Sequence, residues 1–339
     1  LKNVENIVEG DLVMGPDSSP RKVLSLHRGI DQLYQVRQTR GDSYIVNSQH
    51  ILSGYSPHFY DDKKVKRPAK SIEVSVEKFL SYSKDKRSHF RGYKVSIDYP
   101  YQEVLLEPYF LGLWLGDGTA SNQCVTTIDS EIVQYLESYS KRLGEDYYCD
   151  YNSRGSFDCW IRTRKVGRGH KHSLLKGLRE YNLIDNKHIP QKYLLNSVEV
   201  RRQLLAGLID SDGSISDNIC YYTTISEVLA NDIRELCYSL GFRVTLRKNE
   251  SFVKSLQRSY ITYELIISGL LDKIPTLLKR KQVRFNGKGS SYYIPEPIHG
   301  YPVSLISSLQ IESIGRGKYF GFECDGDHLF LLKDGTVVH

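Results

Sequence analysis

Two aspartates of this 339-residue chain stand in matching surroundings, 95 positions apart. Asp117 ends the run Phe110-Leu-Gly-Leu-Trp-Leu-Gly-Asp-Gly118, and Asp212 ends Leu205-Ala-Gly-Leu-Ile-Asp-Ser-Asp-Gly213. A solitary Asp-Gly is ordinarily a turn; two of them closing matched apolar runs read as a pair. Carboxylates brought to one location repel unless they share a proton or hold divalent cations. Metal-assisted phosphodiester hydrolysis suits such a pair, because cations activate water and steady the departing oxygen.

That chemistry needs a surface for phosphates. The net charge is +6, from 46 Lys/Arg and 40 Asp/Glu, and the bases cluster. Residues 61–94 hold 11 bases against 5 acids, 162–192 hold 9 against 2, and 243–288 hold 11 against 3. Aromatic and amide side chains are interleaved with them: Tyr148, Tyr151 and Trp160 lead into Arg162, Arg164 and Lys165, and Arg247 and Lys248 lead on to Arg258 and Tyr260. Such mixtures track a phosphate backbone and also touch base edges. Those six bases are the candidates for nucleic-acid contact.

The elements that must position the aspartates come in two copies. Cys124, Thr127 and Leu143-Gly144 recur as Cys220, Thr224 and Leu240-Gly241. A repeat of this length fits two copies of one small domain rather than a solenoid unit. Each copy reads as an apolar helix, alternating strands and an amphipathic helix, Ser130–Leu143 or Ser226–Leu240, with further strands at Asp158–Thr163 and Tyr260–Ile267. Glycine in a helix costs about 1 kcal/mol against alanine, so Gly112, Gly116 and Gly207 need a reason. Gly112 and Gly116 share one helix face, as do Gly207 and Ser211, and small residues there let two backbones approach. The aspartates would then emerge side by side, with Gly118 and Gly213 expected to turn left-handed and end each helix.

Composition excludes several classes. Apolar residues make up 40% and aromatics 11%, with 25 tyrosines, which suits a packed core and excludes global disorder. Six dispersed cysteines without a CxxC pair argue against a disulfide framework or zinc knuckle and for an intracellular setting. No apolar run approaches the length of a membrane span.

Leu205–Gly213 resembles the LAGLIDADG signature of homing endonucleases at eight of nine positions, with Ser211 in place of alanine. Phe110–Gly118 is similar to a degenerate first copy, departing at Leu115 and Gly116. The resemblance spans about residues 101–297. It implies that the motif helices form the interface between two halves and that Asp117 and Asp212 bind the catalytic metal. It also implies basic residues near the scissile phosphates. Asn186-Lys187-His-Ile-Pro190 is similar to an element of intein-borne members and marks Lys187; Leu278-Lys-Arg-Lys-Gln282 marks Lys281, with Lys279 second.

The flanks resemble the protein-splicing (Hint) domain of inteins, of the kind carried by fungal nuclear genes. Val4–Met14 is similar to its first strand pair, Val46-Asn-Ser-Gln-His50 to its second block, and Tyr319–His339 to its two C-terminal blocks. The resemblance implies that Asn47 and His50 polarise the upstream junction, and that His328 and His339 assist asparagine cyclisation. Leu1 is no nucleophile and no asparagine follows His339, so the chain as it stands is not expected to splice.

The expected architecture is multi-domain. An all-β Hint domain split between 1–60 and 298–339 is interrupted by an α+β, pseudo-symmetric endonuclease with repeats at 101–200 and 201–297. Residues 61–100 form a basic bridge, read either as a flexible linker or as DNA-contacting through Lys63–Arg67 and Lys84–Lys94. The expected activity is site-specific cleavage of a long, asymmetric double-stranded DNA target using magnesium, with manganese as a substitute. The expected protein is a monomer with internal two-fold symmetry, flanked by a host protein as exteins, without membrane contact and nuclear in a eukaryote. Three alternatives stand beside it: a cleavage-inactive DNA-binding remnant, a maturase-like RNA binder, and a splicing element with a bystander insertion.

Overall fold

The computed structural model describes residues 1–56, 59–60, 66–67, 70–162, 174–253, 258–283 and 297–339. It divides into two compact units: Leu1–Ile97 with Gly241–Arg243 and Tyr293–His339, and Asp98–Leu240 with Val244–Tyr292.

The first unit is β-rich and draws on both ends of the chain. Two long strands, Pro20–Gln38 and Leu305–Cys324, pair antiparallel, with irregularities at Ser313/Gly315 and Glu323/Cys324. The sheet runs Leu12–Met14, Pro20–Gln38, Leu305–Cys324, Arg91–Lys94, Ile51–Ser56, Lys70–Ser75, with Tyr44–Asn47 on Pro20–Gln38. One core gathers Val36, Val46, Leu52, Val74, Val76, Phe79 and Phe90; a second gathers Tyr55, Tyr93, Val95, Ile298, Val303, Leu329 and Val337. The first of the two strands expected within Val4–Met14 is instead a 3-10 turn at Val4–Asn6, and only Leu12–Met14 is extended.

Residues 70–97 are built into this unit, which corrects the linker reading for them. Strand Lys70–Ser75 pairs with Ile51–Ser56, and helix Val76–Ser81 buries Val76 and Phe79. Ser75 starts that helix by accepting a hydrogen bond from the Lys78 amide. Lys94 is removed from the candidate DNA contacts, because it is 2% exposed and ion-paired with the equally buried Asp334. Lys63–Val65 lie outside the described residues.

The second unit holds both repeats. The first has helix Pro108–Asp117, strand Val125–Thr127, helix Ser130–Leu143 and strands Asp146–Tyr151 and Phe157–Arg162. The second has helix Val198–Asp212, strands Gly213–Ser216 and Ile219–Thr224, helix Glu227–Ser239 and strands Arg243–Val253 and Arg258–Ser268. Strand order is the same in both: the second repeat runs Gly213–Ser216, Ile219–Thr224, Arg258–Ser268, Arg243–Val253, and in the first the opening strand shrinks to a bridge between Gly118 and Val125. Tyr109–Leu115 are all buried, as suits a helix apolar on every side.

Candidate active site at the paired helix ends

The two motif helices, Pro108–Asp117 and Val198–Asp212, touch backbone to backbone. A methyl group on Gly112 would lie 2.9 Å from the Gly207 Cα, and one on Gly207 would lie 3.0 Å from the Gly112 Cα. One turn on, a methyl group on Gly116 would lie 2.6 Å from the Ser211 Cβ and 3.0 Å from Asp212 Oδ2. The four small residues thus meet as two pairs, Gly112 with Gly207 and Gly116 with Ser211. No side chain fits between them. This contact brings Asp212 against the end of the first helix.

Gly118 and Gly213 do not turn left-handed. Their φ,ψ values are −77°,147° and −76°,146°, so the chain leaves each helix directly into extended backbone. Glycine is needed there for space: a Cβ would sit 2.6 Å from Trp114 Cγ at Gly118, and 2.7 Å from the Ile209 carbonyl oxygen at Gly213.

Partial desolvation raises the pKa of both aspartates, although Asp117 is only half-buried and Asp212 keeps an exposed face. Asp117 is pushed up to about 7, first by desolvation and then by the Asp212 charge, with Lys281 and Lys187 opposing. Asp212 is raised by desolvation against the pull of Lys187 and Lys281. Each carboxylate's charge disfavours the other's, and a divalent cation between them would relieve that repulsion. Hard oxygen donors of this kind fit magnesium, calcium or manganese. Among the described residues no group of three or more His, Cys, Asp or Glu is placed to hold a metal, at this site or any other, so the two aspartates stand as a pair.

Lys187 and Lys281 are not ordinary surface charges. The Lys187 ammonium donates to the carbonyls of Gly116 (2.9 Å) and Gly118 (2.7 Å) and lies 5.3 Å from the centre of the Trp114 ring. The Lys281 ammonium donates to the carbonyls of Ile209, Asp210 and Ser211 at 2.9, 2.7 and 2.8 Å. Each lysine therefore satisfies the orphan carbonyls of its own motif helix and meets the negative end of that dipole. Desolvation lowers both ammonium pKa values, and the nearby carboxylates oppose it. Lys279 is exposed on the same 3-10 turn, which leaves Lys281 as the inward residue.

Three features were not read from the sequence. Asp210, 2% exposed, accepts hydrogen bonds from the Tyr109 hydroxyl (2.7 Å) and the amides of Leu277 (2.5 Å) and Leu278 (3.3 Å). It thereby anchors the segment that carries Lys281. Its only signal was an acid where the first repeat has Leu115. Arg280 reaches from the second repeat to both oxygens of Asp129 in the first, at 2.5 and 2.9 Å. Tyr222 lies beside Asp212, buried, and its signal was the change of repeat offset across residues 124–127.

The candidate DNA-contact residues are dispersed over two sheets. Arg162 stands over the rings of Tyr148 (5.6 Å) and Trp160 (5.5 Å). Cross-strand register puts Arg162 opposite Asp146, Trp160 opposite Tyr148 and Asp158 opposite Asp150, so three acids share that face. Arg247 lies 3.8 Å from Glu264, and Lys248 stands 5.7 Å from the Tyr263 ring centre. Arg164 and Lys165 lie outside the described residues, as does the side chain of Arg258.

In the first unit three histidines converge. The rings of His328 and His339 are 5.7 Å apart, and His328 Nδ1 lies 2.7 Å from the Cys324 carbonyl. His50 Nε2 is buried without a hydrogen-bond partner, and its pKa falls to about 4 through desolvation and the neighbouring His339. The Asn47 carbonyl accepts from the His50 amide at 3.4 Å.

Residues 188–276 match the homing endonuclease family. The catalytic subunit of the V-type proton ATPase of Candida tropicalis is 54% identical over 463 aligned residues, covering all of this chain and 42% of that protein. The replicative DNA helicase DnaB of Mycobacterium intracellulare is 26% identical over 257 residues, covering 70% of this chain and 40% of that protein. The chain thus spans about two fifths of the length of these relatives. Among solved structures, mesophilic variants of the homing endonuclease I-DmoI are 13% identical with a TM-score of 0.35, covering 48% of this chain and 87% of that one. I-DmoI in complex with DNA and Ca is 14% identical, also with a TM-score of 0.35, covering 48% of this chain and 82% of that one. So distant a likeness is silent on the chemistry of this chain. Among the described residues no helix is long and apolar enough to cross a membrane.

Proposed function

We propose that this chain is an intein-borne homing endonuclease and that its second unit cuts both strands of a long, asymmetric double-stranded DNA target at Asp117 and Asp212. The observation that carries this is the meeting of the two motif helices through Gly112, Gly207, Gly116 and Ser211, with Asp212 Oδ2 against the turn before Asp117. Asp117 and Asp212 would hold the divalent metal, magnesium or manganese. When bound, that ion supplies a lowered water pKa and charge stabilisation at the departing oxygen. Lys187 and Lys281 fix the backbone at each helix end, so that both carboxylates are held in place as DNA docks. Arg162, Arg247 and Lys248, with Arg164, Lys165 and Arg258, would neutralise phosphates. One half-site per repeat accounts for an asymmetric target read by a monomer.

The first unit is proposed as the protein-splicing domain, with Asn47 and His50 at the upstream junction and His328 and His339 at the downstream one. The convergence of the three histidines supports it. The match of the whole chain to a V-type ATPase protein supports a host of that kind, with the flanking host segments as exteins. The experiment for the endonuclease is incubation with plasmid carrying the uninterrupted host coding sequence, with and without magnesium. Linear product that needs the metal is expected; tight binding without any cleavage would instead mean a DNA-binding remnant.

A further inference from the structure

Tyr222 is a buried polar group at the aspartate pair that the reaction described above does not use. The residue is 1% exposed, and its hydroxyl is buried without a hydrogen-bond partner. It pairs across the sheet with Gly213, the residue that follows Asp212. From there the hydroxyl leans toward Asp212 and helps to hold that carboxylate down without reaching hydrogen-bond geometry. A phenol keeps its proton at neutral pH, so toward an anionic neighbour its hydroxyl can only donate. A buried donor left unpaired is costly, and natural structures seldom keep one without a use.

The first repeat has no such donor. Gly118 bridges to Val125 as Gly213 pairs with Tyr222, and Val125 is an apolar core residue. The two halves therefore present different chemistry to whatever oxygen enters between the carboxylates.

We propose that the Tyr222 hydroxyl donates a hydrogen bond to an oxygen of the scissile phosphate on the Asp212 side, and that this one-sided donor makes the two strands break at unequal rates. The inference rests on the endonuclease reading above. No proton is transferred. The donor is already aimed and dry, so it stabilises charge that develops on the phosphate without reorganising first.

The test is single-turnover cleavage, with magnesium, of a supercoiled plasmid bearing the uninterrupted host sequence, each strand labelled separately. Wild-type protein should cut one strand faster. Tyr222→Phe keeps the ring and removes the hydroxyl; it should slow the faster strand by about tenfold or more and leave the other unchanged, so that the two rates converge. Its Tm should be unchanged or higher, because the lost group had no partner in the free protein. Equal slowing of both strands, no slowing, or a lowered Tm would each overturn the proposal, the last by revealing a structural partner for the hydroxyl. Wild-type protein that binds the plasmid yet cuts neither strand would defeat the endonuclease reading itself, a result distinct from any change confined to the variant.

Discussion

The two repeats share a strand order but finish their motif helices differently. In the first, the last turn is Leu115-Gly116-Asp117, Lys187 caps two carbonyls, and its segment is tied down by the Ile189 amide donating to Asp232 at 2.8 Å. In the second, the last turn is Asp210-Ser211-Asp212, Lys281 caps three carbonyls, and Asp210 itself holds the segment that delivers Lys281. The outcome is the same in both, an ammonium bonded to the carbonyls of a helix C-terminus close to that helix's terminal carboxylate. Duplication preserved the electrostatic requirement and let the means of meeting it diverge. The polar additions sit in the second half (Asp210, Ser211, Tyr222), against Leu115, Gly116 and Val125 in the first.

The largest expected effect breaks what the halves share. Asp117→Asn or Asp212→Asn should each stop double-strand cleavage, a loss of about 10²–10³-fold or more, while gel-shift affinity for the target is retained, because phosphate contacts and metal ligation are separable. Undiminished cutting by either variant would remove that residue from the site.

The helix contact comes next. Gly112→Ala and Gly207→Ala should each cost about 1–3 kcal/mol or more in chemical denaturation, since the added methyl group meets backbone that cannot yield. Gly116→Ala should differ, because it meets the Ser211 side chain. Adding Ser211→Gly should recover most of its loss, whereas adding Ser211→Gly to Gly112→Ala should not.

Asp210 distinguishes the halves directly. Asp210→Leu, which copies Leu115, should cost about 1–3 kcal/mol by stripping the Leu277 and Leu278 amides and the Tyr109 hydroxyl of their acceptor. Leu115→Met, with no polar partner at stake, should cost about 1.5 kcal/mol or less. Equal costs would show that the Lys281 segment is held by packing alone.

The β-rich unit offers a contrast in pH response. His50 has its pKa lowered from 6.5 to about 4 in the folded state. Between those values the unfolded chain binds the proton and the folded one does not, so stability present above pH 6.5 declines as pH falls toward 4. His50→Gln should flatten that decline in a thermal melt of the whole chain, and an unaltered slope would show that His50 is not its source.

The smallest effect concerns the outer strands. Arg162→Gln and Arg247→Gln should each flatten the log–log salt dependence of DNA affinity by about one unit if each side chain engages a phosphate. Arg162 shares its sheet face with three aspartates, so a slope that Arg162→Gln leaves unaltered would mark that face as one turned away from DNA.

Much of the site was legible in the residues alone. The matched runs, the paired aspartates and the i,i+4 small residues are local patterns, and helix Ser130–Leu143 begins and ends where its apolar spacing and Gly144 require; Lys187 and Lys281 were marked only by the family resemblance. Side-chain type and spacing determine these because they act within a few residues. What only the tertiary structure decided depends on partners distant in the chain. Gly118 and Gly213 serve to avoid Trp114 and Ile209 rather than to turn left-handed. Lys94 pairs with Asp334, 240 positions away, instead of facing DNA. Lys187 and Lys281 spend their hydrogen bonds on backbone carbonyls, which every residue possesses and no sequence pattern marks. The roles of Asp210 and Tyr222 depend on burial, and burial is set by whatever else folds around a residue. A charge or hydroxyl acquires its energy from the water it loses and the partner it meets, and both are properties of the assembled chain.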